Sequence, residues 1–171
     1  MGDEEIVDIV DENCNVLFSV PKSDAHEKGL LHRTVITEIK DSEGKWLLVR
    51  QASDKQDAGQ FVSPVGGHVK SGETEEEALK REVLEEVGLS GFKFKYIGRT
   101  IFNRVVRGRK ENHFFIMYET YSDSDVMLNH ESVEWRKFTD EELRMELKNN
   151  PAMFGDAFHA VVKAFFPWLL N

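Results

Sequence analysis

The residues best suited to do chemistry lie in one stretch, 67–89, which reads GHVKSGETEEEALKREVLEEVGL. Its spaced charges are Glu73, Arg81, Glu82, Glu85 and Glu86. Carboxylates held this close together repel each other and raise one another's pKa values unless a cation neutralises them. Mg²⁺ and Mn²⁺ suit an all-oxygen ligand set and keep positions for water and for a substrate's phosphate. The spacing therefore predicts a metal-dependent phosphate site.

A single helix is expected to position these acids. Thr74 and Glu77 form a capping box at its start, and Gly88 suits its end because glycine tolerates the left-handed conformation. At about 100° per residue the last three glutamates share one edge of the helix. The adjoining edge is an apolar stripe expected to face the core, formed by Leu79, Val83, Leu84 and Val87. The alternative, a solvated acidic helix, applies best to the run 75–77.

The stretch resembles a complete Nudix box. The positions that carry the resemblance are Gly67, Glu73, Arg81, Glu82, Val83, Glu85, Glu86, Gly88 and Leu89. The resemblance implies an α/β (α+β) fold, an α/β/α sandwich with a mixed central β-sheet, and divalent-metal-dependent hydrolysis of a diphosphate linked to another group. It also implies that Glu82, Glu85, Glu86 and Gly67 hold the metal and that one of these glutamates can activate water. Arg81 and Glu73 are implied as their supporting pair in catalysis.

Composition narrows the class of protein. The 171 residues and 19.7 kDa predict one domain over residues 1–171. A net charge of −9 argues against a nucleic-acid backbone or an anionic membrane as partner. Cys14 is the only cysteine, which excludes an internal disulfide framework. No apolar run reaches the roughly 18 to 20 residues of a membrane span, and the acidic start is not typical of a signal peptide, so a cytoplasmic location is expected.

Alternation and turn residues predict the remaining elements. Strands are expected within 5–20 (two, around a turn at 11–13), at 34–40, at 46–51, leading into the glycines at 61–65, and near 133–135. A long hairpin is expected from 92–102 and 113–121, joined by the basic connection 103–112. Segment 22–31 is expected to be a polar connection. Helices are expected at 139–148, after a capping box, and in the C-terminal segment around 154–169.

Segments outside the box resemble one branch of the superfamily, which includes type I isopentenyl diphosphate isomerase. They read HEKGLLHRTV, GGHV and FPWL. The isomerase places a catalytic cysteine where this chain has Gly66, and uses a Glu-Asn-Glu step where this chain has Glu111-Asn112-His113. With all the box acids present and that cysteine missing, hydrolysis is predicted. The isomerase, and a non-catalytic module that binds a nucleotide or diphosphate, stay as alternatives.

Several residues are candidates for contacts beyond the box. They are His32, His68, Arg33, Arg104 and Phe61. The two histidines correspond to positions where the isomerase binds a second metal, with His26 a looser match, and they are weighed as metal ligands, substrate contacts or structural residues. The arginines suit terminal phosphates and the phenylalanine a stacked base.

Glu131, in a late polar loop, matches a place where some Nudix enzymes carry a base. The expected partner is a small-molecule diphosphate whose class the sequence leaves open. The oligomeric state is open too, with a homodimer compatible because many relatives pair.

Overall fold

Residues 4–171 are described by a computed structural model. The strands are β1 Ile6–Val10, β2 Val16–Pro21, β3 His32–Lys40, β4 Trp46–Gln51, β5 Phe61–Val62, β6 Val65–His68, β7 Lys93–Val106, β8 Arg109–Tyr121 and β9 Ser132–Phe138. The helices are α1 Lys22–Lys28, α2 Glu75–Val87, α3 Asp140–Asn149 and α4 Asp156–Phe165, with short 3₁₀ turns at Pro151–Met153 and Pro167–Leu170.

The sheet is mixed and β3 lies at its centre. This strand pairs parallel with β8 and antiparallel with β1, β4 and β6. The β7–β8 hairpin extends one side, and β4 carries β5 and β9 on the other. The register places His32 opposite His113 on β8 and Thr34 opposite His68 on β6. These two pairings bring histidines from distant parts of the sequence together.

Helices cover both faces of the sheet because successive residues of a strand point to opposite sides. Val35 packs into the cluster that holds Leu79 and Val83 of α2. Its neighbour Ile36 packs into the cluster that holds residues of α3 and α4, including Phe158. The α/β/α arrangement implied by the sequence is confirmed.

Three local predictions need correction. Segment 22–31, predicted as a polar connection, contains the helix α1. Only Ala25 and His26 of this seven-residue helix are buried, so the sequence shows no helical apolar period. The β7–β8 hairpin is longer than predicted and turns at Arg107 and Gly108. Leu84, assigned to the core stripe of α2, has 56% of its surface exposed.

None of the described helices is both long enough and apolar enough to span a bilayer. The acidic start that argued against a signal peptide falls partly at residues 1–3, which lie outside the described range.

Candidate active site

Helix α2 positions the glutamates through its caps and its packed edge. The Thr74 hydroxyl accepts a hydrogen bond from the Glu77 N–H at 3.1 Å, and the Glu77 carboxylate accepts one from the Thr74 N–H at 3.3 Å. Gly88 ends the helix in the left-handed conformation with φ 70°. With Leu79 and Val83 buried against the sheet, the adjoining edge turns toward a cleft.

The cleft has a volume of about 700 Å³. Its lining includes residues of α2, of β3 to β6, of the loop between β4 and β5, of the β7–β8 hairpin, and residues 131–132 and 157–158. Glu82, Glu85 and Glu86 all line it, as does Gly67. We call these three carboxylates the glutamate face.

Arg81 ties the glutamate face to the loop before α2. Its Nε and Nη2 donate to the two oxygens of Glu73 at 2.7 and 2.9 Å, and Nη1 donates to Glu82 Oε1 at 2.6 Å. Nη2 also donates to the His68 carbonyl at 2.9 Å, and Nη1 lies 3.5 Å from Glu85 Oε2. Such a two-pronged guanidinium–carboxylate contact fixes orientation as well as charge. One arginine thus holds Glu73, Glu82 and β6 in a fixed arrangement.

Strand β6 packs so closely on α2 that it requires glycine. A Cβ added to Gly67 would lie 2.1 Å from Glu82 Cδ, far inside van der Waals contact. The neighbouring Gly66 N–H donates to Glu86 Oε2 at 3.1 Å. The two glycines therefore let the backbone approach and orient two of the three carboxylates.

Burial acts on the pKa values of three acids at this site. Burial, followed by the charge of Glu85, raises the pKa of Glu82 to about 7 despite the Arg81 contact. Burial and a hydrogen bond with Glu131 raise the pKa of Glu86 well above its ordinary value. For Glu73, burial acts upward, but hydrogen bonds from Arg81 and from the Lys70 N–H outweigh it and lower the pKa. Carboxylate oxygens are donors that suit Mg²⁺ and Mn²⁺, and a bound cation would favour the charged form of these acids.

Four histidines form a second group beside the glutamate face. We call His26, His32, His68 and His113 the four-histidine cluster; ring nitrogens from all four lie within 4.8 Å of one another. They come from α1, β3, β6 and β8. Burial is the first cause lowering the pKa of each, to about 4 for His26 and well below the usual value for His68 and His113. The rings are therefore neutral near pH 7.

The hydrogen bonds of the cluster leave nitrogen lone pairs free. His32 Nδ1 lies 2.8 Å from the Leu30 carbonyl, which can only accept, so this nitrogen carries the proton and Nε2 has the lone pair. Nε2 atoms of His32, His68 and His113 are buried and have no partner within residues 4–171. His26 instead accepts a hydrogen bond from Arg109 Nη2, 2.9 Å from Nδ1. Imidazole nitrogens grouped this closely, three of them without a hydrogen-bond partner, fit a borderline transition metal such as Zn²⁺.

The other predicted contact residues divide into two groups. Arg104 lines the cleft, and its contact with a substrate phosphate stays a prediction. Arg33 is not among the lining residues and pairs with Asp8 at 3.0 Å. The geometry therefore does not support the phosphate contact predicted for Arg33. Phe61 is 7% exposed and packs edge-on against Phe138, so it offers no free face for a stacked base. Phe61 is buried because an aromatic side chain on a strand commonly packs into the core.

Sequence reasoning gave too little weight to His26, His113 and Glu131. Glu131 lines the cleft and contacts Glu86, and its loop is tied to α2 because Asn129 donates to the Glu85 carbonyl at 3.3 Å. No local spacing marks His113 or Glu131, since each reaches the site from a different element. The HxxxxxH spacing of His26 and His32 is the only local signal.

Comparisons with known proteins agree with the geometry of the site. The family model of the NUDIX domain matches residues 30–156. An uncharacterized Nudix hydrolase of Streptomyces coelicolor is 38% identical over 120 residues, covering 62% of this chain and 65% of that protein. The chain thus spans just under two thirds of this relative. An isopentenyl-diphosphate Delta-isomerase of Serratia proteamaculans is 28% identical over 163 residues, covering 94% of this chain and 90% of the isomerase.

A solved structure extends the likeness to the fold. The crystal structure of DR0079 from Deinococcus radiodurans matches with a TM-score of 0.72 at 25% identity, covering 93% of this chain and 98% of that one. Together these matches confirm the fold and the branch that the sequence motifs indicated.

Proposed function

The chain belongs to the NUDIX domain family, and from that premise we propose that it hydrolyses a diphosphate linkage in a small-molecule substrate with Mg²⁺ or Mn²⁺. The observation that carries the proposal is the glutamate face: Glu82, Glu85 and Glu86 open together into one cleft. These are the residues that would hold the cation. When bound, a divalent cation neutralises diphosphate oxygens and lowers the pKa of water.

The chain's own residues supply positioning and proton transfer. Arg81 keeps Glu82 aimed into the cleft, and the Gly66 N–H does the same for Glu86. Glu131, beside Glu86, adds a carboxylate that can take the proton of the attacking water. The water oxygen forms a bond to phosphorus while the bond from phosphorus to the bridging oxygen breaks. Lys55 and Arg107 in the cleft lining offset the charge of the diphosphate.

The four-histidine cluster is proposed as a separate metal centre with nitrogen donors. The buried Nε2 atoms of His32, His68 and His113 support this, because buried polar atoms without partners are costly. Neutral imidazoles prefer borderline transition metals to Mg²⁺. The two groups would therefore take different ions.

The likeness to isopentenyl diphosphate isomerase does not outweigh the site geometry. Gly66 carries no side chain that can transfer a proton, and Cys14 packs against the core under α2 and is not among the cleft-lining residues. His113 stands where the isomerase resemblance calls for an acid. A non-catalytic binding module is disfavoured as well, because idle carboxylates held this close together would repel each other and cost stability.

A panel assay tests the proposal. The protein is incubated with nucleoside diphosphate sugars, dinucleoside polyphosphates, nucleoside triphosphates and isopentenyl diphosphate, with Mg²⁺ and with EDTA, and phosphate, nucleotide and isomer are measured. We expect cleavage of at least one diphosphate class with Mg²⁺ and none with EDTA. Formation of the isomer, or binding of a nucleotide without cleavage of any diphosphate, would overturn the proposal.

A further inference from the structure

The ring of His26, one member of the four-histidine cluster, lies against a guanidinium group. Arg109 Nη2 lies 2.9 Å from His26 Nδ1 and 3.3 Å from His26 Nε2, so one group covers both ring nitrogens. A neutral imidazole has a single nitrogen lone pair, and a guanidinium group can only donate hydrogen bonds. Arg109 therefore uses the lone pair that a metal ion would need on His26, and the two cannot bind this ring together.

Arg109 also places a positive charge beside the cluster, where it repels a second cation. Glu111 Oε2 lies 3.6 Å from Arg109 Nη2 and offsets part of this charge. However, Glu111 already accepts hydrogen bonds from Arg104 Nε at 3.0 Å and from Gln56 Nε2 at 2.9 Å. Its carboxylate is thus shared among three donors, and Arg109 keeps enough charge to oppose a metal ion at His26.

The Arg109 side chain has room to leave the ring. It is 42% exposed, whereas His26 is 6% exposed. A second cavity of about 430 Å³ lies beside α1, and both Arg109 and His26 line it together with Glu4 and Glu27. Carboxylates are strong partners for a guanidinium group. Rotation of the Arg109 side chain toward these acids would release His26 without a change in the strands.

His26 itself is held in place, so its ring stays aimed at the cluster when Arg109 leaves. The ring centroid lies 5.0 Å from that of His32 and 5.2 Å from that of His68. The end of α1 is tied to β8, because Asn112 Nδ2 donates to the Gly29 carbonyl at 2.7 Å. A donor held in position by its surroundings binds a metal more tightly than a mobile one. The movable partner is therefore the arginine and not the histidine.

We propose that Arg109 competes with a metal ion for His26 and thereby sets the metal affinity of the four-histidine cluster. With Arg109 on the ring, the cluster offers the nitrogens of His32, His68 and His113. When Arg109 turns into the cavity beside α1, His26 becomes a fourth donor. This inference rests on the proposed metal centre, and it assigns to that centre a residue that regulates the metal without binding it.

Titrations of the whole chain with Co²⁺, followed by visible absorption, test the competition. Arg109→Met should bind Co²⁺ at least about tenfold more tightly than the parent, because the lone pair is released and the repelling charge is gone. Lys28→Met is the matched control, since it removes a positive charge at an exposed position of α1, and it should stay within about twofold of the parent. Equal or weaker Co²⁺ binding by Arg109→Met would overturn the inference.

A double-mutant cycle separates competition for His26 from a general effect of charge. In a His26→Ala background there is no ring to compete for, and the exposed guanidinium group is screened by solvent. Arg109→Met should then change the Co²⁺ affinity by less than about threefold. A gain as large as in the presence of His26 would contradict the competition. Arg109→Ala takes the place of Arg109→Met if that variant does not fold.

The variant His113→Ala separates this inference from the metal centre itself, and neither result depends on hydrolysis. Co²⁺ binding that is lost in His113→Ala but unchanged in Arg109→Met keeps the metal centre and rejects the competition. Co²⁺ binding that neither His113→Ala nor His26→Ala alters rejects the metal centre, and the inference is rejected with it.

Discussion

The glutamate face and the four-histidine cluster meet at β6, where Gly67 touches Glu82 and the next residue, His68, belongs to the cluster. The first is built from one continuous stretch on one helix. The second draws on four elements, α1, β3, β6 and β8. Their difference in origin is matched by a difference in chemistry, oxygen donors on one side and nitrogen donors on the other.

Burial acts on both regions and drives both toward the uncharged form. It raises the pKa of Glu82 and Glu86, and it lowers the pKa of His68 and His113. A neutral imidazole is ready to bind a metal, whereas a protonated carboxyl must first lose its proton. The same physical cause therefore favours neutral imidazoles in one region and uncharged carboxyls in the other.

The largest expected effect comes from Glu86→Gln. Removing this carboxylate should lower Mg²⁺-dependent turnover by roughly 100-fold or more, while the fold survives, because the amide keeps the shape but not the charge. Initial rates on the best substrate of the panel measure the loss. Glu76→Gln, at an exposed position on the same helix, is the matched control. Turnover equal to that of the control would remove Glu86 from the mechanism.

The variant His113→Ala should show that the two regions bind different metals. Loss of one imidazole of the cluster is expected to weaken Co²⁺ binding by roughly 10- to 100-fold. The visible absorption of Co²⁺ and the metal content after dialysis measure this binding. Glu86→Gln should leave Co²⁺ binding unchanged. His159→Ala, outside the cluster, serves as control. Unaltered Co²⁺ binding by His113→Ala would show that the cluster is not a metal centre.

Glu38 belongs to neither proposed metal site, so it tests the effect of burial on a carboxyl group alone. Burial raises its pKa to about 7, only partly offset by the Ser63 hydroxyl and the charge of Lys40, while Glu119 adds to the rise. Because the folded state holds this proton more tightly than the unfolded state, Glu38 makes stability fall as pH rises from about 4.5 to 7. Relative to the parent, the free energy of unfolding of Glu38→Gln should therefore rise by about 1–3 kcal/mol between pH 5 and pH 8.

Urea unfolding of both proteins at the two pH values measures this gain. A difference between variant and parent that does not change with pH would contradict the assigned shift.

The smallest effect concerns the cap that starts the glutamate helix. Thr74→Ala should lower the free energy of unfolding by about 1 kcal/mol, since one hydroxyl acceptor is lost at the N-terminus of α2. Thr139→Ala removes the same capping box from α3 and should cost a similar amount. Denaturant midpoints compare the two. A loss confined to Thr139→Ala would mean that packing alone holds α2 in place.

The sequence predicted the parts of the molecule whose causes are local. The start of α2 at Thr74, its end at Gly88 and the common edge of its glutamates depend on neighbours within a few residues. The same holds for the capping box of α3 and for the first hairpin. The prediction that Leu84 is in the core was wrong. Helical spacing predicts which side of α2 faces the core, but the width of the buried stripe depends on the elements that pack against it.

By itself the sequence determined a helix that carries three carboxylates and, through the motif on that helix, the family. Only the tertiary structure decided that four histidines converge, that Arg104 is locked between Asp57 and Glu111, and that Phe61 belongs to the core. The physical reason is strand register. The parallel pairing of β3 with β8 sets His32 opposite His113, and register is fixed by packing across the whole sheet, not by residues near either histidine.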